Sequence, residues 1–124
     1  MSERQTILIV EDDEDLRRLF RTALSLAGYD VIEAGDGLEA LQRIEEAPPR
    51  LVVLDLMLPG FNGVTVRQEL AAHAPTRHIP VVVITGTHVP DDLDVDCVLR
   101  KPIAVDELLT AVQRSLASQA GGAV

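Results

Sequence analysis

The sequence predicts an α/β domain organised around one five-stranded, doubly wound parallel sheet. Three observations carry this. Leu51–Leu54 and Val81–Ile84 are unbroken aliphatic runs, as strands covered on both faces require. Amphipathic stretches at helical spacing separate most of the strand-like runs, and that alternation implies right-handed crossovers with parallel pairing. The chain has 124 residues, 47% of them hydrophobic but only 2% aromatic, which suits one domain with a single aliphatic core.

The elements follow in order. Thr6–Val10 is a short β-branched run, the first strand. Glu11–Asp15 comes next, and acids are favoured where a helix begins. Leu16, Leu19, Phe20, Ala23, Leu24 and Ala27 recur at helical spacing, so the first helix runs to about Gly28, a natural C-terminal stop. Tyr29–Ala34 alternates and suits a less buried second strand. Gly35-Asp36-Gly37 turns the chain into a helix marked by Leu38, Leu41 and Ile44 and ended by Pro48-Pro49. The third strand closes on Asp55, and Pro59–Gly63 reads as a turn. Val64, Leu70 and Ala71 mark a third helix that closes before Pro75. Pro80–Thr85 is the fourth strand.

Gly86–Asp96 is poor in helix formers and contains Pro90. A full helix is not expected there; one turn after Pro90 fits. Cys97–Arg100 is a short fifth strand ended by Lys101-Pro102. Val105, Leu108, Leu109, Val112 and Leu116 define the last helix, with Asp106 and Glu107 in its first turn. Ser118–Val124 reads as a flexible tail. With no repeat or linker, residues 1–124 form one domain.

Composition excludes several classes. The net charge of −9 disfavours direct binding of DNA or RNA. Cys97 is the only cysteine, so no internal disulfide can form, which fits a reducing cytoplasm. Met1–Gln5 leads straight into the first strand without a signal peptide, and no apolar run approaches membrane-spanning length. A cytoplasmic protein without membrane contact is expected.

The polar residues at the strand ends carry the chemistry. The first strand ends in Glu11 and Asp12, the third in Asp55, the fourth in Thr85 and the fifth in Lys101, whereas the second ends in Ala34. Ligands of open α/β sheets bind at that edge. In the flavodoxin-like order 2-1-3-4-5 the four chemical tips form one row and the inert strand is outermost. Three carboxylates about 5 Å apart repel by roughly 3 kcal/mol per pair at an effective dielectric near 20. A hard divalent cation relieves this, and ligands offering only oxygen point to Mg²⁺. A lysine, a hydroxyl and a metal around one more carboxylate suit a transferred phosphoryl group, with Asp55 as nucleophile.

Four motifs now concur: Ile7–Asp13, Val53–Pro59 with Asn62-Gly63, Val83–Gly86, and Arg100–Pro102. Together they resemble the receiver domain of bacterial two-component response regulators over nearly the whole chain. The resemblance implies that Asp55 accepts phosphate from a histidine kinase, a phosphotransfer protein or a small phosphodonor. It also implies that Glu11 and Asp12 are the acidic pair and that Asp12, Asp55 and the Met57 carbonyl bind Mg²⁺. Thr85 and Lys101 would contact the phosphoryl oxygens, and the bond before Pro102 would be cis. Such a domain is not an enzyme towards other substrates; it catalyses only its own phosphorylation and dephosphorylation.

Three departures stand out. Only fifteen residues, Gly86 to Arg100, separate Thr85 from Lys101, so the helix usual between strands 4 and 5 is reduced or absent. Val98 stands where many receivers carry a switching aromatic, and Gly86 replaces a commoner alanine. The chemistry is expected to persist and the output face to be altered.

Plainer readings stand beside these. Asp55 alone could cap its loop, Glu11 and Asp12 could be ordinary first-turn acids, and Lys101 a solvated lysine; their convergence argues otherwise. Asp92–Asp96 resembles the start of a calcium loop but lacks its glycine and closing acid. His73, His78 and His88 form no ligand spacing and read as surface residues, and Cys97 as packing.

The leading function is a phosphoacceptor that switches contacts with a downstream protein, as a monomer or weak homodimer. The alternative is a receiver-like binding module whose output ignores or rewires phosphorylation. A flavin-binding relative is disfavoured, because Glu11–Asp15 would repel a phosphate. The chain is either a complete single-domain regulator or a receiver belonging to a longer one.

Overall fold

The structure is a computed structural model that describes residues 4–93 and 95–121. Thr6–Val10 (β1), Asp30–Ala34 (β2), Leu51–Asp55 (β3), Val81–Thr85 (β4) and Cys97–Arg100 (β5) form one sheet in the order β2-β1-β3-β4-β5, all pairs parallel. Glu14–Leu26 (α1), Gly37–Glu46 (α2), Gly63–Ala72 (α3) and Val105–Gly121 (α4) supply the helices. Three of them begin at a side chain suited to the job. Asp13, Asp36 and Asn62 each accept the backbone N–H three residues on, at 2.8–3.0 Å.

The alternation of side chains along each strand divides the core in two. Leu8, Val10, Val52, Leu54, Val81 and Val83 face α2 and α3, where Ala40, Ile44, Val66 and Leu70 meet them. Ile7, Ile9, Leu51, Val53, Val82 and Ile84 face α1 and α4, against Phe20, Leu24, Leu108 and Val112. Strands β3 and β4 are buried throughout, whereas β2 is only half-buried, as their run and alternation patterns predict.

Among the described residues no helix lies between β4 and β5. The chain makes one turn, in which the Leu93 N–H bonds the Pro90 carbonyl at 3.1 Å. Val89, Leu93 and Val95 pack on the face shared by α2 and α3, so three aliphatic side chains cover what a helix would. Asp96 anchors the return: its N–H bonds the Val81 carbonyl at 3.1 Å, and its carboxylate accepts the Val81 N–H at 2.7 Å. That occupies one acid of the calcium-like run; Asp94 lies outside the described residues, as do Met1–Glu3 at the chain start.

The sequence predicts a flexible tail from Ser118; α4 continues to Gly121. After Leu116 the first strong helix breaker is Gly121 itself, so nothing in Ala117–Ala120 stops propagation. Residues 122–124 lie outside the described range. The histidines are exposed, with His73 3.3 Å from Glu69 one turn away, and Cys97 packs beside the α4 face with its thiol pKa raised, first by burial and then by Asp96.

Candidate functional site

The register sets the strand tips in one row. Val10 pairs with Leu54, Asp55 with Ile84 and Thr85 with Arg100, so the residues that end β1, β3, β4 and β5 share the carboxyl edge. Glu11 is fully buried and Asp55 nearly so, whereas Asp12 is exposed. Carboxylate oxygens of the three lie within 4.8 Å of one another.

Lys101 enters from the opposite side. Its N–H bonds the Thr85 carbonyl at 2.9 Å, and the peptide bond to Pro102 is cis. Its ammonium lies 2.9 Å from Glu11 Oε1 and 3.0 Å from Asp55 Oδ2, bridging the two buried acids. Their remaining oxygens are held by backbone: Asp55 Oδ1 accepts the Met57 N–H at 2.9 Å, and Glu11 Oε2 accepts the Asp13 N–H at 3.1 Å.

Electrostatics follow from this packing. Burial drives Glu11 upward, Lys101 and the Asp13 N–H pull it down, and Asp55 raises it again, leaving its pKa at about 7 instead of 4.5. Burial pulls Lys101 downward, but its contacts with Glu11 and Asp55 outweigh that and hold its pKa above the ordinary lysine value. Glu11 Oε1 has the Lys101 charge beside it but no hydrogen bond of good geometry. A buried oxygen in that condition, within a cluster of oxygen donors from three carboxylates, suits a hard divalent cation.

Thr85 stands in the row but its hydrogen bonds lie elsewhere. The fully buried hydroxyl accepts the Thr87 N–H at 3.0 Å and shares a second hydrogen bond with the Thr87 hydroxyl. Arg100 in turn donates to the Thr87 carbonyl. The fold thus brings Glu11, Asp12, Asp55 and Lys101 together and leaves Thr85 beside them, its hydroxyl held by its own loop. Met57 is an exposed side chain whose N–H, two residues beyond Asp55, supports the carboxylate.

Two glycines fix the approach of neighbouring helices. A Cβ on Gly63 would collide with the Asp55 carbonyl and the Leu56 Cα, so α3 starts against the peptide of Asp55 itself. A Cβ on Gly37 would collide with Phe61, which ties the start of α2 to the loop after β3.

Sequence reasoning missed Arg17 and Glu33. Arg17 donates to the Glu11 carbonyl at 2.8 Å and to Glu33 Oε1 at 3.1 Å. No signal in the sequence announces this pair; in the structure Glu33 lies opposite Ile9, one residue before the inert tip Ala34.

No helix is long and apolar enough to cross a membrane among the described residues. Residues 7–113 match the response regulator receiver domain family. The chain is 37% identical over 121 residues to the DNA-binding response regulator MtrA of Mycobacterium tuberculosis (strain ATCC 25618 / H37Rv), covering 91% of this chain and 51% of that one. It is 38% identical over 116 residues to the DNA-binding dual master transcriptional regulator RpaA of Synechocystis, covering 89% and 48%. It therefore spans about half the length of the curated relatives it matches. A receiver domain protein (CheY-like) from Methanospirillum hungatei superposes with a TM-score of 0.89 over 97% of this chain and 99% of that one, a likeness of fold at 24% identity. The match over residues 7–113, with the sheet order and the two curated relatives, leaves one conclusion: the chain belongs to the response regulator receiver domain family.

Proposed function

We propose that this receiver is a phosphoacceptor, with Asp55 as the phosphorylated residue and a histidine kinase, a phosphotransfer protein or a small acyl phosphate as donor. The observation that carries this is the Lys101 ammonium, set between Glu11 and Asp55 at 2.9 and 3.0 Å. An Asp55 carboxylate oxygen attacks phosphorus, and the bond to the donor's imidazole nitrogen or acyl oxygen breaks. The leaving group keeps the electron pair, and an imidazole takes up a proton from solvent. Lys101 loses part of its carboxylate partner and gains phosphoryl oxygens, so its charge remains compensated. The Met57 N–H holds the spectator side of Asp55 during the approach.

Glu11, Asp12, Asp55 and the Met57 carbonyl would hold Mg²⁺, which when bound neutralises charge on the phosphoryl oxygens. Thr85 would donate to a phosphoryl oxygen once its hydroxyl leaves Thr87. Phosphorylation adds about −1.5 to −2 charge at the end of β3 and biases contacts with a downstream protein. The domain catalyses no reaction on other substrates.

Intact-mass measurement after incubation with acetyl phosphate and Mg²⁺ tests this. One phosphoryl group is expected, absent with Asp55→Asn or a chelator. No gain from acetyl phosphate or from any histidine kinase would overturn it.

A second reading has its own observation. The hydroxyl of Thr85 is bonded to Thr87, and the segment after it carries no helix among the described residues. These features favour a receiver whose binding surface responds little to phosphorylation. Amide shifts on adding beryllofluoride, a phosphoryl mimic, separate the two: changes confined to the Asp55 loop support the second, and changes reaching Val98 support the first.

A further inference from the structure

Arg17 lies in the first turn of α1 and is only 20% exposed. Its guanidinium makes two directed contacts, one to the Glu11 carbonyl and one to Glu33, whose second oxygen meets Arg21 at 3.1 Å. The carbonyl of Glu11 belongs to the peptide that joins Glu11 to Asp12. On the other side of Glu11, its N–H bonds the Ala34 carbonyl at 3.1 Å. The main chain at Glu11 is therefore gripped from β2 through its N–H and from α1 through its C=O. The turn after β2 closes tightly over this grip, since a Cβ on Gly35 would come 3.4 Å from the guanidinium. Asp12 is exposed, so packing does not orient it; the peptide ahead of it does.

We infer that Arg17 is a positioning residue: held by Glu33, it fixes the Glu11–Asp12 peptide and so keeps a buried and an exposed carboxylate in one cation-binding arrangement. This rests on the phosphoacceptor reading of the site. Glu33 is shared between Arg17 and Arg21, and a positive charge beside the site would by itself weaken a cation, so the support Arg17 gives is one of geometry, not of field. A guanidinium can span both acceptors with its planar fork, whereas an ammonium cannot.

The test is Mg²⁺ affinity, followed by calorimetry on the whole chain, for Arg17→Met, Arg17→Lys and Glu33→Gln. Arg18→Met serves as control, because Arg18 only pairs with exposed Glu14 on the surface of α1. Arg17→Met is expected to weaken Mg²⁺ about tenfold, the low end for a group that supports metal ligands. Arg17→Lys weakens it nearly as much, Glu33→Gln less, and Arg18→Met not at all. Acetyl phosphate labelling of Arg17→Met is slow at low Mg²⁺ and recovers at saturating Mg²⁺. In chelator, the Asp12 and Asp13 amides exchange with deuterium faster than in the wild type.

Wild-type affinity in both Arg17 variants would overturn the inference while leaving the phosphoacceptor reading intact. Loss in Arg17→Met with full retention in Arg17→Lys would show that one ammonium donor suffices and would overturn the role of the guanidinium fork. A wild-type protein that takes up no Mg²⁺ would overturn both. Should Arg17→Met fail to fold, Arg17→Lys and Glu33→Gln decide the matter.

Discussion

On one flank of Asp55 the chain is tied at Glu11 and Asp13; on the other the described residues between Gly86 and Asp96 cross between strands with a single turn. Glu11 is held through its N–H, its carbonyl and its Oε2, with the Lys101 ammonium beside its Oε1, and Asp13 caps α1. Beyond β4, by contrast, Val89, Leu93 and Val95 cover the sheet without a helix, and Val98 remains 37% exposed. The contrast separates two requirements. Chemistry at Asp55 needs ligands in fixed positions, which demands crowding. A surface that meets partners needs only to shield the core, which aliphatic side chains on a loop do well enough.

The largest break expected in this contrast is Gly63→Ala. Its Cβ has no room against the Asp55 carbonyl and Leu56, so the start of α3 and the peptide of Asp55 must move apart. Overpacking of backbone at such a point costs about 3 kcal/mol, to be read as a lower urea midpoint, with slower phosphorylation alongside.

Changing pH probes the tied flank next. The pKa of Glu11 is raised from 4.5 to about 7, so between those values the folded, cation-free protein holds a proton that the unfolded chain does not. Stability in chelator therefore falls as pH rises from 4.5 to 7. A cation needs the ionised carboxylate, so apparent Mg²⁺ affinity runs the other way, dropping about tenfold per pH unit below 7 and levelling above it. Calorimetric titrations at pH 6, 7 and 8 read this; a flat profile would remove Glu11 from the cation-binding set.

The smallest effect belongs to the open flank. Gly86 has no positive φ, and a Cβ there meets nothing within 4 Å. Gly86→Ala should shift stability by no more than about 0.5 kcal/mol, again by urea midpoint. A large loss would mean that this flank is as constrained as the other.

The same contrast governs how much could be read in advance. The buried runs of β3 and β4, the half-buried alternation of β2 and the want of a helix after Thr85 follow from hydrophobic pattern and helix propensity, both local properties. The row of tips was legible because strand order converts sequence positions into neighbours. Arg17 was not, since an arginine among charged residues early in a helix reads as solvated surface, and its partners, Glu33 and the Glu11 carbonyl, come together only in the fold. The hydrogen bonds of Thr85 to Thr87 were equally hidden, because a hydroxyl two residues away along a loop leaves no periodic trace. That the last helix continues past Ser118 was not legible, because nothing in Ala117–Ala120 marks either a stop or a continuation beyond the apolar positions.

The cap on α1 has a further consequence, one of spacing. Glu11, Asp12 and Asp13 are consecutive, and they face inward, outward and along the helix in turn. Inserting a single residue after Val10 would push Glu11 one position past the end of β1, so its N–H would no longer meet the Ala34 carbonyl and its carboxylate would slip out of step with Lys101 and Asp55. The joint between β1 and α1 thus has one permitted length, whereas the stretch between β4 and β5 can gain or lose residues without disturbing it. Foreign sequence, whether acquired by evolution or inserted by design, belongs in the second place.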